Sequence, residues 1–363
     1  MTNYLLAGGG TAGHVNPLLA LAEHIRNIDD SARFVILGTS EGLEATLVLQ
    51  RGFELSTIER LPFPRRLGIY ALRFPGKFRA AVSRVVKLIA DQKIDVVVGF
   101  GGYASAPAYV AARKAKVPYV VHEANALPGM ANRFAASRAD AVAITFPGTP
   151  LPKATLTGMP LRSEIQVAIS AADKKSARAH FGLDTSTPTL LVTGGSLGAK
   201  RLNDAISDSM ATLDAAGIQV LHITGGRSEL PEVSSKSLVR INYCDRMDLA
   251  LSAADLAVTR AGASIVSELS AFGLPAVYIP YPIGNGEQAK NVTSIVSSGA
   301  SIAVSDADFT SDYVKSVVIP LVSDTRGLSV MKRNLKKVAI SNGTEKLYEL
   351  ILGVLSNRSS RKH

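Results

Sequence analysis

The sequence predicts two doubly wound α/β domains, in which helices cover both faces of a mostly parallel sheet. Three observations support this prediction. The chain has 363 residues, which is too long for a single hydrophobic core of ordinary size and suits two domains. Its apolar strand candidates are continuous rather than alternating, as in parallel sheets that are covered on both faces. Strand-like and helix-like segments alternate throughout both halves of the chain.

Short apolar runs in each half are the strand candidates, and helical patterns separate them. In the first half we expect strands at residues 4–7, 33–37, 94–99, 119–122 and 141–144, with helical patterns at 18–26 and 80–90. In the second half we expect strands at 189–193, 220–224, 255–258, 276–279 and 301–304. The repetition of this order predicts one sheet in each half.

The two halves also share a motif of strand, glycine-rich turn and helix. Leu5-Leu6, Gly9-Gly10 and Gly13 are matched at the same spacing by Leu190-Leu191, Gly194-Gly195 and Gly198. Residues 147–160 contain four prolines and are expected to be the linker between the halves. A cleft between two such domains would collect the carboxyl ends of both sheets, where open α/β folds bind ligands.

The formal net charge is +10, from 40 Lys and Arg against 30 Asp and Glu. Residues 61–90 hold seven basic residues and no acidic one, interleaved with Leu, Ile, Tyr and Phe. This segment fits either a solvated loop and helix or a surface that touches anionic phospholipid. Nucleic acid is a weaker alternative, because no nucleic-acid-binding motif accompanies the segment. The basic residues expected at the lipid are Arg65, Arg66, Arg73, Lys77 and Arg79.

Several protein classes are excluded by composition. A single cysteine, Cys244, cannot form an internal disulfide, and no Cys or His cluster has the spacing of a zinc site. Residues 96–112 and 269–286 are uncharged, but glycines and prolines interrupt both, so neither is predicted to span a membrane. The N-terminus lacks the basic region of a secretory signal, and we expect a cytosolic chain.

A glycine-rich turn, residues 8–14, follows the first predicted strand. Its glycines would let amide groups approach an anion at a helix N-terminus. The turn matches a dinucleotide fingerprint only formally, because residues 37–39, Leu-Gly-Thr, replace the acidic residue expected at the end of the second strand. His14 is either a surface or capping residue, or a general base for a hydroxyl nucleophile.

Polar residues follow other predicted elements. Residues 101–103, Gly-Gly-Tyr, come after one strand, and residues 122–125, His-Glu-Ala-Asn, come after the next. These residues are candidates for a functional site. The alternative is that His122 and Glu123 are structural groups that cap an element or pair with a neighbour. Gln288 and Asn291 share a helix face, and their amides suit sugar hydroxyls and solvent equally well.

The second half offers a site for a diphosphate. Ser196 lies in a glycine-rich turn, and a helix is predicted to start at Ala263-Ser264-Ile265, where its free amides would bind an anion. Glu268, about one turn further, either accepts hydrogen bonds from ribose hydroxyls or caps the helix through Ser264.

Taken together, these motifs resemble the MurG family of bacterial glycosyltransferases. The resemblance covers nearly the whole chain and is carried by GGGTAGHVNP (8–17), GFGGYASAP (99–107), HEAN (122–125), GMPLR (158–162), GGSLGA (194–199), RAGASIVSE (260–268) and EQAKN (287–291). It implies a GT-B fold, with two Rossmann-like domains facing each other across a cleft. Residues 1–157 with a returning helix in 341–363 would form the acceptor- and membrane-binding domain, and residues 158–340 the UDP-GlcNAc-binding domain.

The resemblance implies transfer of N-acetylglucosamine, with inversion, from UDP-GlcNAc to the C4 hydroxyl of the MurNAc unit of lipid I. The product would be lipid II for peptidoglycan synthesis. His14 and Asn125 would be catalytic, near the acceptor hydroxyl, and Gly101, Gly102 and Tyr103 would form an acceptor and diphosphate loop. The donor contacts would come from Thr11, Ala12, Gly13, Asn125, Arg162, Ser196, Cys244 through its backbone, Ala263, Ser264, Ile265, Glu268, Gln288 and Asn291. Ala124 and Leu197 depart from the family pattern, which weakens any role for side-chain amides there.

The family resemblance implies no cofactor and no metal ion. The implied partners are UDP-GlcNAc, the undecaprenyl-diphosphate-linked acceptor and an anionic phospholipid surface, but not nucleic acid. The protein would be peripheral on the cytoplasmic face of the plasma membrane, with a C-terminal helix at about residues 345–355 packing on the first domain. The alternatives are a related transferase acting on another lipid, such as diacylglycerol, a UDP-GlcNAc epimerase, and a non-catalytic sugar-nucleotide-binding protein. An NAD enzyme is disfavoured by the missing acidic residue.

Overall fold

The structure, a computed structural model, describes residues 1–42, 44–64, 66, 68–195 and 198–360. It divides into two compact units, Met1–Ser163 with Asn342–His363, and Glu164–Ser341. Residues 158–163, expected in the second domain, belong to the first unit. One reason is that the Leu161 amide donates a hydrogen bond to Thr344 Oγ1 at 3.2 Å, which ties this segment to the returning C-terminal helix.

The first unit alternates strands and helices. Its elements are β1 (Asn3–Ala7), α1 (Ala12–Ile28), β2 (Arg33–Thr39), α2 (Glu44–Gln50), β3 (Glu54–Ile58), α3 (Ile69–Asp91), β4 (Val96–Gly99), α4 (Gly102–Lys114), β5 (Tyr119–Glu123), α5 (Met130–Ala136), β6 (Ala141–Ile144) and β7 (Ala154–Leu156). The C-terminal helix of the chain, Gly343–Ser360, completes this unit. The strands form a seven-stranded sheet in the order β3-β2-β1-β4-β5-β6-β7, and all neighbouring pairs are parallel.

Successive residues of the strands enter two hydrophobic clusters, one on each face of this sheet. Leu5 of β1 belongs to one cluster and Leu6 to the other, because neighbouring side chains of a strand point to opposite faces. Leu347 and Ile351 of the C-terminal helix are fully buried in the second cluster. Burial on both faces explains why these strands are continuous apolar runs in the sequence.

The second unit repeats the architecture. Its elements are α6 (Ser163–Ala171), α7 (Lys174–His180), β8 (Thr189–Thr193), α8 (Lys200–Ala215), β9 (Gln219–Ile223), β10 (Val233–Ser234), β11 (Leu238–Ile241), α9 (Met247–Ala253), β12 (Leu256–Thr259), α10 (Ala263–Phe272), β13 (Ala276–Tyr278), α11 (Glu287–Asn291), α12 (Thr293–Ser297), β14 (Ile302–Ala303), α13 (Ser311–Tyr313), a π-helical segment (Val314–Val318), α14 (Ile319–Ser323) and α15 (Thr325–Val338); the C-terminal helix is α16. The sheet order is β10-β11-β9-β8-β12-β13-β14, and the β10–β11 pair is antiparallel.

The central strands β1 and β8 lie where the strand order of each sheet reverses. In open α/β sheets, ligands bind outside the carboxyl ends of the strands at this point. The motif that the two halves share therefore corresponds to two equivalent segments of strand, turn and helix. Each begins with the strand at which the order of its sheet reverses.

The structure corrects three expectations. Residues 147–160 are not simply a linker, because they contain β7, whose residues pair with β6 in the first sheet. The strands β3, β7 and β10 were not predicted, since these edge strands are mostly exposed or half-buried and lack a continuous apolar run. The inner strand β11 was also missed, because the buried Arg240 interrupts its apolar run. Finally, α3 begins at Ile69 rather than near residue 80 and continues through Pro75. None of the described helices combines the length and the apolar composition that crossing a bilayer requires.

Candidate active site

Two glycine-rich loops meet at the reversal point of the first sheet. One connects β1 to α1 and the other connects β4 to α4. A side chain at Gly102 would overlap with the backbone of Gly9, so the contact between the loops requires glycine. Ser105 Oγ donates a hydrogen bond to the Ala7 carbonyl at 2.9 Å and accepts one from the Gly101 amide at 3.0 Å. These contacts hold the two loops together.

His14 lies in the first turn of α1, half-buried between these loops. Its Nδ1 is 3.1 Å from the Gly9 carbonyl and 3.3 Å from Thr11 Oγ1. Because a carbonyl oxygen only accepts, Nδ1 carries the proton in the neutral ring and Nε2 keeps its lone pair. Burial lowers the pKa of His14 below its usual value, although the Gly9 carbonyl and the carboxylates of Glu123 and Glu44 oppose this. The ring is therefore neutral at physiological pH, with a basic Nε2.

Glu123 holds the loop that follows β5. Its carboxylate is buried and accepts hydrogen bonds from the Asn125 amide at 2.9 Å, the Gly129 amide at 3.0 Å and Asn132 Nδ2 at 2.9 Å. These contacts therefore support the alternative in which Glu123 is a structural group. Asn125 itself is half-buried, whereas Ala124 is buried.

A pocket of about 490 Å³ adjoins His14 in the first unit. Its polar lining includes His14, Glu123 and Asn125, and its lining also contains the Gly101–Tyr103 loop. The apolar part of the lining includes Phe63, Phe74, Phe78, Met130 and Phe134. The Arg60 guanidinium lies 5.0 Å from the centroid of the Tyr103 ring. The volume falls within the range of small-molecule sites, about 300–1,000 Å³.

The basic segment partly surrounds this pocket. Arg66, Arg73 and Arg79 are exposed, as are the large apolar side chains of Ile69 and Leu72, which are 71% and 83% accessible. Lys77 is instead half-buried and ion-paired with Glu59. Arg65 lies outside the described residues.

The start of α10 in the second unit is open. Its N-cap residue is Gly262, which makes no side-chain capping bond, and the buried Ser264 Oγ has no hydrogen-bond partner among the described residues. The Ser264 hydroxyl therefore takes no part in capping this helix. Glu268 is 6% exposed and lies one turn further along α10. Free amides and a free hydroxyl at a helix N-terminus form a site for an anion.

Gln288 and Asn291 support the turn between β12 and α10. Gln288 Oε1 accepts hydrogen bonds from the amides of Ala261 at 3.1 Å and Tyr281 at 2.9 Å. Asn291 is fully buried and donates from Nδ2 to the Ala261 carbonyl at 3.1 Å. The oxygen of Gln288 is thus engaged by the protein, and Asn291 lies behind the turn rather than at the surface.

The remaining predicted residues are spread over both units. Thr11 is exposed at the N-terminus of α1, Ala12 begins that helix and Gly13 is half-buried. Arg162 is half-buried just before α6, and Cys244 is 8% exposed between β11 and α9. Ser196 and Leu197 lie outside the described residues. Across the described parts of the chain, no group of three or more His, Cys, Asp and Glu residues converges as a metal site.

Two functional neighbours were not found from the sequence. Glu44 contacts the turn before His14, and it was missed because the fingerprint places its acidic residue at the end of β2. Arg260 is paired with Asp306 at 2.5 Å and donates to the Ile279 carbonyl at 3.2 Å, which fixes the turn before α10. The only indication of this role in the sequence was that Arg260 lies within the RAGAS motif.

Comparisons with known proteins identify the family of this chain. Residues 4–144 match the glycosyltransferase family 28 N-terminal domain, and residues 189–347 match the glycosyltransferase family 28 C-terminal domain. A relative from Clavibacter sepedonicus is 52% identical over 362 residues, covering 99% of each chain. A relative from Streptomyces coelicolor is 43% identical over 361 residues, covering 98% of this chain and 99% of its own. Both are named UDP-N-acetylglucosamine--N-acetylmuramyl-(pentapeptide) pyrophosphoryl-undecaprenol N-acetylglucosamine transferase.

Solved structures show the same fold. The crystal structure of Acinetobacter baumannii MurG matches with a TM-score of 0.78 at 25% identity, covering 97% of this chain and 100% of that one. The UDP complex of S. aureus MnaA matches with a TM-score of 0.67 at 12% identity, covering 97% of this chain and 96% of that one, and shows the fold alone. Two parallel α/β sheets with these matches constitute the GT-B fold. The chain therefore belongs to glycosyltransferase family 28 and, within that family, to the MurG glycosyltransferases.

Proposed function

We propose that this protein transfers N-acetylglucosamine from UDP-GlcNAc to the C4 hydroxyl of the MurNAc unit of lipid I. The product is lipid II, a step of peptidoglycan synthesis. The observation that carries the proposal is the 52% identity, over 99% of both chains, with a relative named for this transferase. The geometry supports it, since a neutral histidine faces a ligand-sized pocket in one unit and an open helix N-terminus lies in the other.

The reaction is a single displacement with inversion. The acceptor O4 attacks C1 of GlcNAc, the C1–O bond to the diphosphate breaks, and UDP leaves with the electron pair. His14 Nε2, directly or through a water molecule, takes the proton of the acceptor hydroxyl, because Nδ1 is already protonated and held by Gly9. Asn125, which lines the same pocket, orients the acceptor. Gly101, Gly102 and Tyr103 form the loop on its other side.

Negative charge develops on the departing UDP. The amides at the start of α10, from Ala263 to Ile265, are positioned to neutralise it, as electrostatic catalysis requires. The Ser264 hydroxyl lies buried beside them with no hydrogen-bond partner among the described residues. Arg162 supplies a positive charge, and Ser196 is assigned to the same group by its motif. In this proposal the diphosphate is stabilised by the protein without a metal ion.

The second unit binds the remaining parts of the donor, which are the ribose, the uracil and the sugar. Glu268 accepts hydrogen bonds from the ribose hydroxyls, and the backbone at Cys244 contacts uracil. Gln288 reads the sugar through its amide nitrogen, since its oxygen is engaged by Ala261 and Tyr281. Asn291 is buried behind the turn, so its contribution is to hold Ala261 in place. Thr11, Ala12 and Gly13 are assigned to the transferred sugar by the motif that they share with the family.

The acceptor is linked to a lipid, so the enzyme must reach a membrane surface. The exposed basic and apolar face of α3 and the segment before it supports peripheral docking on anionic phospholipid, on the cytoplasmic face where sugar nucleotides are found. Basic groups supply long-range attraction, and Ile69 and Leu72 enter the interface. Nucleic acid is not a partner in this proposal.

One assay tests the proposal. The protein is incubated with radiolabelled UDP-GlcNAc and either a short-chain lipid I analogue or diacylglycerol, and the products are separated. We expect label in a lipid II analogue and none in a glycosylated diacylglycerol. Transfer only to diacylglycerol would assign the chain to a related transferase. Epimerised UDP-sugar without transfer, or binding of UDP-GlcNAc without any UDP release, would refute the transferase assignment.

A further inference from the structure

A buried carboxylate occupies the centre of the first glycine-rich turn. Glu44, the first residue of α2, is 1% exposed. Its Oε2 accepts a hydrogen bond from the Gly10 amide at 2.9 Å. Its Oε1 accepts two, from the Thr39 amide at 2.9 Å and from Thr39 Oγ1 at 2.7 Å. The turn thus binds an anion, as its glycines led us to expect, but the anion is a side chain of the protein itself.

Three glycines make the room for this side chain. A Cβ atom at Gly9, at Gly38 or at Gly42 would overlap with the Glu44 side chain. Gly9 lies in the connection after β1, Gly38 near the end of β2 and Gly42 in the connection after β2. Any side chain at one of them would displace the carboxylate, so the local sequence is organised around Glu44. Its donors also hold the pKa of Glu44 below its usual value despite its burial.

One peptide group connects Glu44 to His14. The Gly9–Gly10 peptide donates through its N–H to Glu44 Oε2 and accepts through its carbonyl from His14 Nδ1 at 3.1 Å. We infer that Glu44 is a positioning residue that fixes the protonated nitrogen and the orientation of His14 through this single peptide group. The inference rests on the proposed function, in which His14 is the base.

The physical reason lies in the alignment of the hydrogen bonds. A carboxylate that accepts from a peptide N–H polarises the peptide, which makes the carbonyl on its other side a stronger acceptor. A stronger acceptor at Gly9 favours the ring form with the proton on Nδ1 and leaves the lone pair on Nε2, facing the pocket. In this arrangement the peptide transmits the effect that a carboxylate exerts directly on the histidine of a catalytic triad.

The wild-type protein provides the first test. His14 is surrounded by Glu44 from α2 and by Glu123 and His122 from β5, so its own ring must be observed rather than an overall titration. Among the six histidines, the His14 signals are assigned by comparison with His14→Gln in protein labelled with 15N-histidine. We expect long-range 1H–15N spectra at neutral pH to show a protonated Nδ1 and an unprotonated Nε2. A protonated Nε2 with a free Nδ1 would overturn the inference.

The second test uses Glu44→Gln, which keeps the size of the side chain but cannot accept from all three donors. We expect kcat to fall on the order of 10-fold, because part of the general-base contribution is lost. KM for UDP-GlcNAc should stay within about twofold, since most of the donor contacts are assigned to the second unit. The ring of His14 should become a mixture of the two neutral forms.

Glu23→Gln is the matched control. Glu23 is also a buried carboxylate of the first unit, on the same helix as His14, but it pairs with Arg51 instead of the glycine-rich turn. We expect its kcat and its His14 spectrum to match the wild type. Equal kcat values in folded Glu44→Gln and Glu23→Gln would overturn the inference. If Glu44→Gln does not fold, a protonated Nε2 with a free Nδ1 in the wild-type spectrum would still overturn it. Absence of transfer by the wild type would refute the proposed function instead. The His14 spectrum of the wild type and of Glu44→Gln would still test whether Glu44 fixes the ring form of His14.

Discussion

The two ring nitrogens of His14 have different surroundings, and this difference determines what the residue can do. Nδ1 is held by the Gly9 carbonyl, while the Nε2 side lies against Gly101 and the pocket. A side chain at Gly101 would come within 3.1 Å of Nε2, so the absence of one keeps the lone pair accessible. His14 was a candidate from its motif alone, and its contacts support the proposal that it is a base.

Replacing His14 by Ala should separate chemistry from donor binding. We expect kcat to fall by about 10²–10⁴-fold, the usual contribution of a general base. The Kd for UDP-GlcNAc should be unchanged, because the proposed mechanism assigns most donor contacts to the second unit. Calorimetry measures the Kd, and the radiolabel assay measures kcat. A variant with wild-type kcat would remove His14 from this role.

At the scale of elements, α3 differs most from its prediction. The sequence indicated a helical pattern only from residue 80, because Pro75 and the mixture of basic and apolar residues before it are typical of a loop. In the structure the helix extends from Ile69 to Asp91, and its first half presents Leu72 and Arg73 to solvent. Burial of Val82, Val85 and Ile89 anchors the second half in the core, so the exposed first half is held rigidly.

Charge reversal on this element tests membrane docking. In the triple variant Arg66→Glu, Arg73→Glu and Arg79→Glu, partitioning onto vesicles with anionic lipid should fall by at least about 100-fold, at roughly 1 kcal/mol for each basic residue. Binding of the wild type should weaken as salt rises, because screening shortens the attraction. Vesicle sedimentation measures both effects.

The control for this experiment carries the same change in charge on another helix. Arg326, Arg333 and Lys337 are exposed on α15, and their replacement by Glu should leave vesicle binding near the wild-type value. Equal losses in both triple variants would show that net charge, rather than the α3 surface, attracts the lipid.

The whole molecule consists of two sheets with equivalent strand orders, and each buries a histidine. His122 of β5 donates from Nε2 to the Gly158 carbonyl at 3.3 Å, and His222 of β9 lies 3.0 Å from Asn203 Oδ1. Burial lowers the pKa of His122 to about 4. Burial, together with the nearby Arg240, lowers that of His222 to about 3. Both rings are therefore neutral in the folded protein where unfolded histidine would bind a proton.

These two histidines predict acid sensitivity. Between pH 6.5 and about 4, the unfolded chain binds protons that the folded chain does not, so the free energy of unfolding should fall as pH falls. The slope should be about 1.4 kcal/mol per pH unit for each histidine, and stability should be fully present above pH 6.5. Urea unfolding at a series of pH values measures it.

Single variants assign the effect to its source. His122→Gln and His222→Gln should each reduce the slope of the free energy of unfolding against pH for the unit that contains the residue, since glutamine does not titrate. His180 is exposed on α7, and His180→Gln should leave the slope as it is. An unchanged slope in both buried variants would mean that other groups cause the acid sensitivity.

The sequence by itself determined the class of fold, nine of the ten inner strands, the edge strand β14 and the motifs that identify the family. It could do so because strands buried on both faces must be continuous apolar runs, and because glycine-rich turns at strand ends have few alternatives. The edge strands β3, β7 and β10 could not be predicted, since hydrogen bonds to a neighbour define them more than their own composition.

Only the tertiary structure shows which polar groups line a pocket and which are engaged by the protein itself. It placed Glu44, distant in sequence from His14, on the peptide that His14 contacts, and it enclosed Asn291 behind the turn that it holds. Three-dimensional proximity across separate connections, not spacing along the chain, determines hydrogen-bond partners and burial. The glycines of the first turn indicated an anion from the start, but only the folded chain shows that this anion is its own carboxylate.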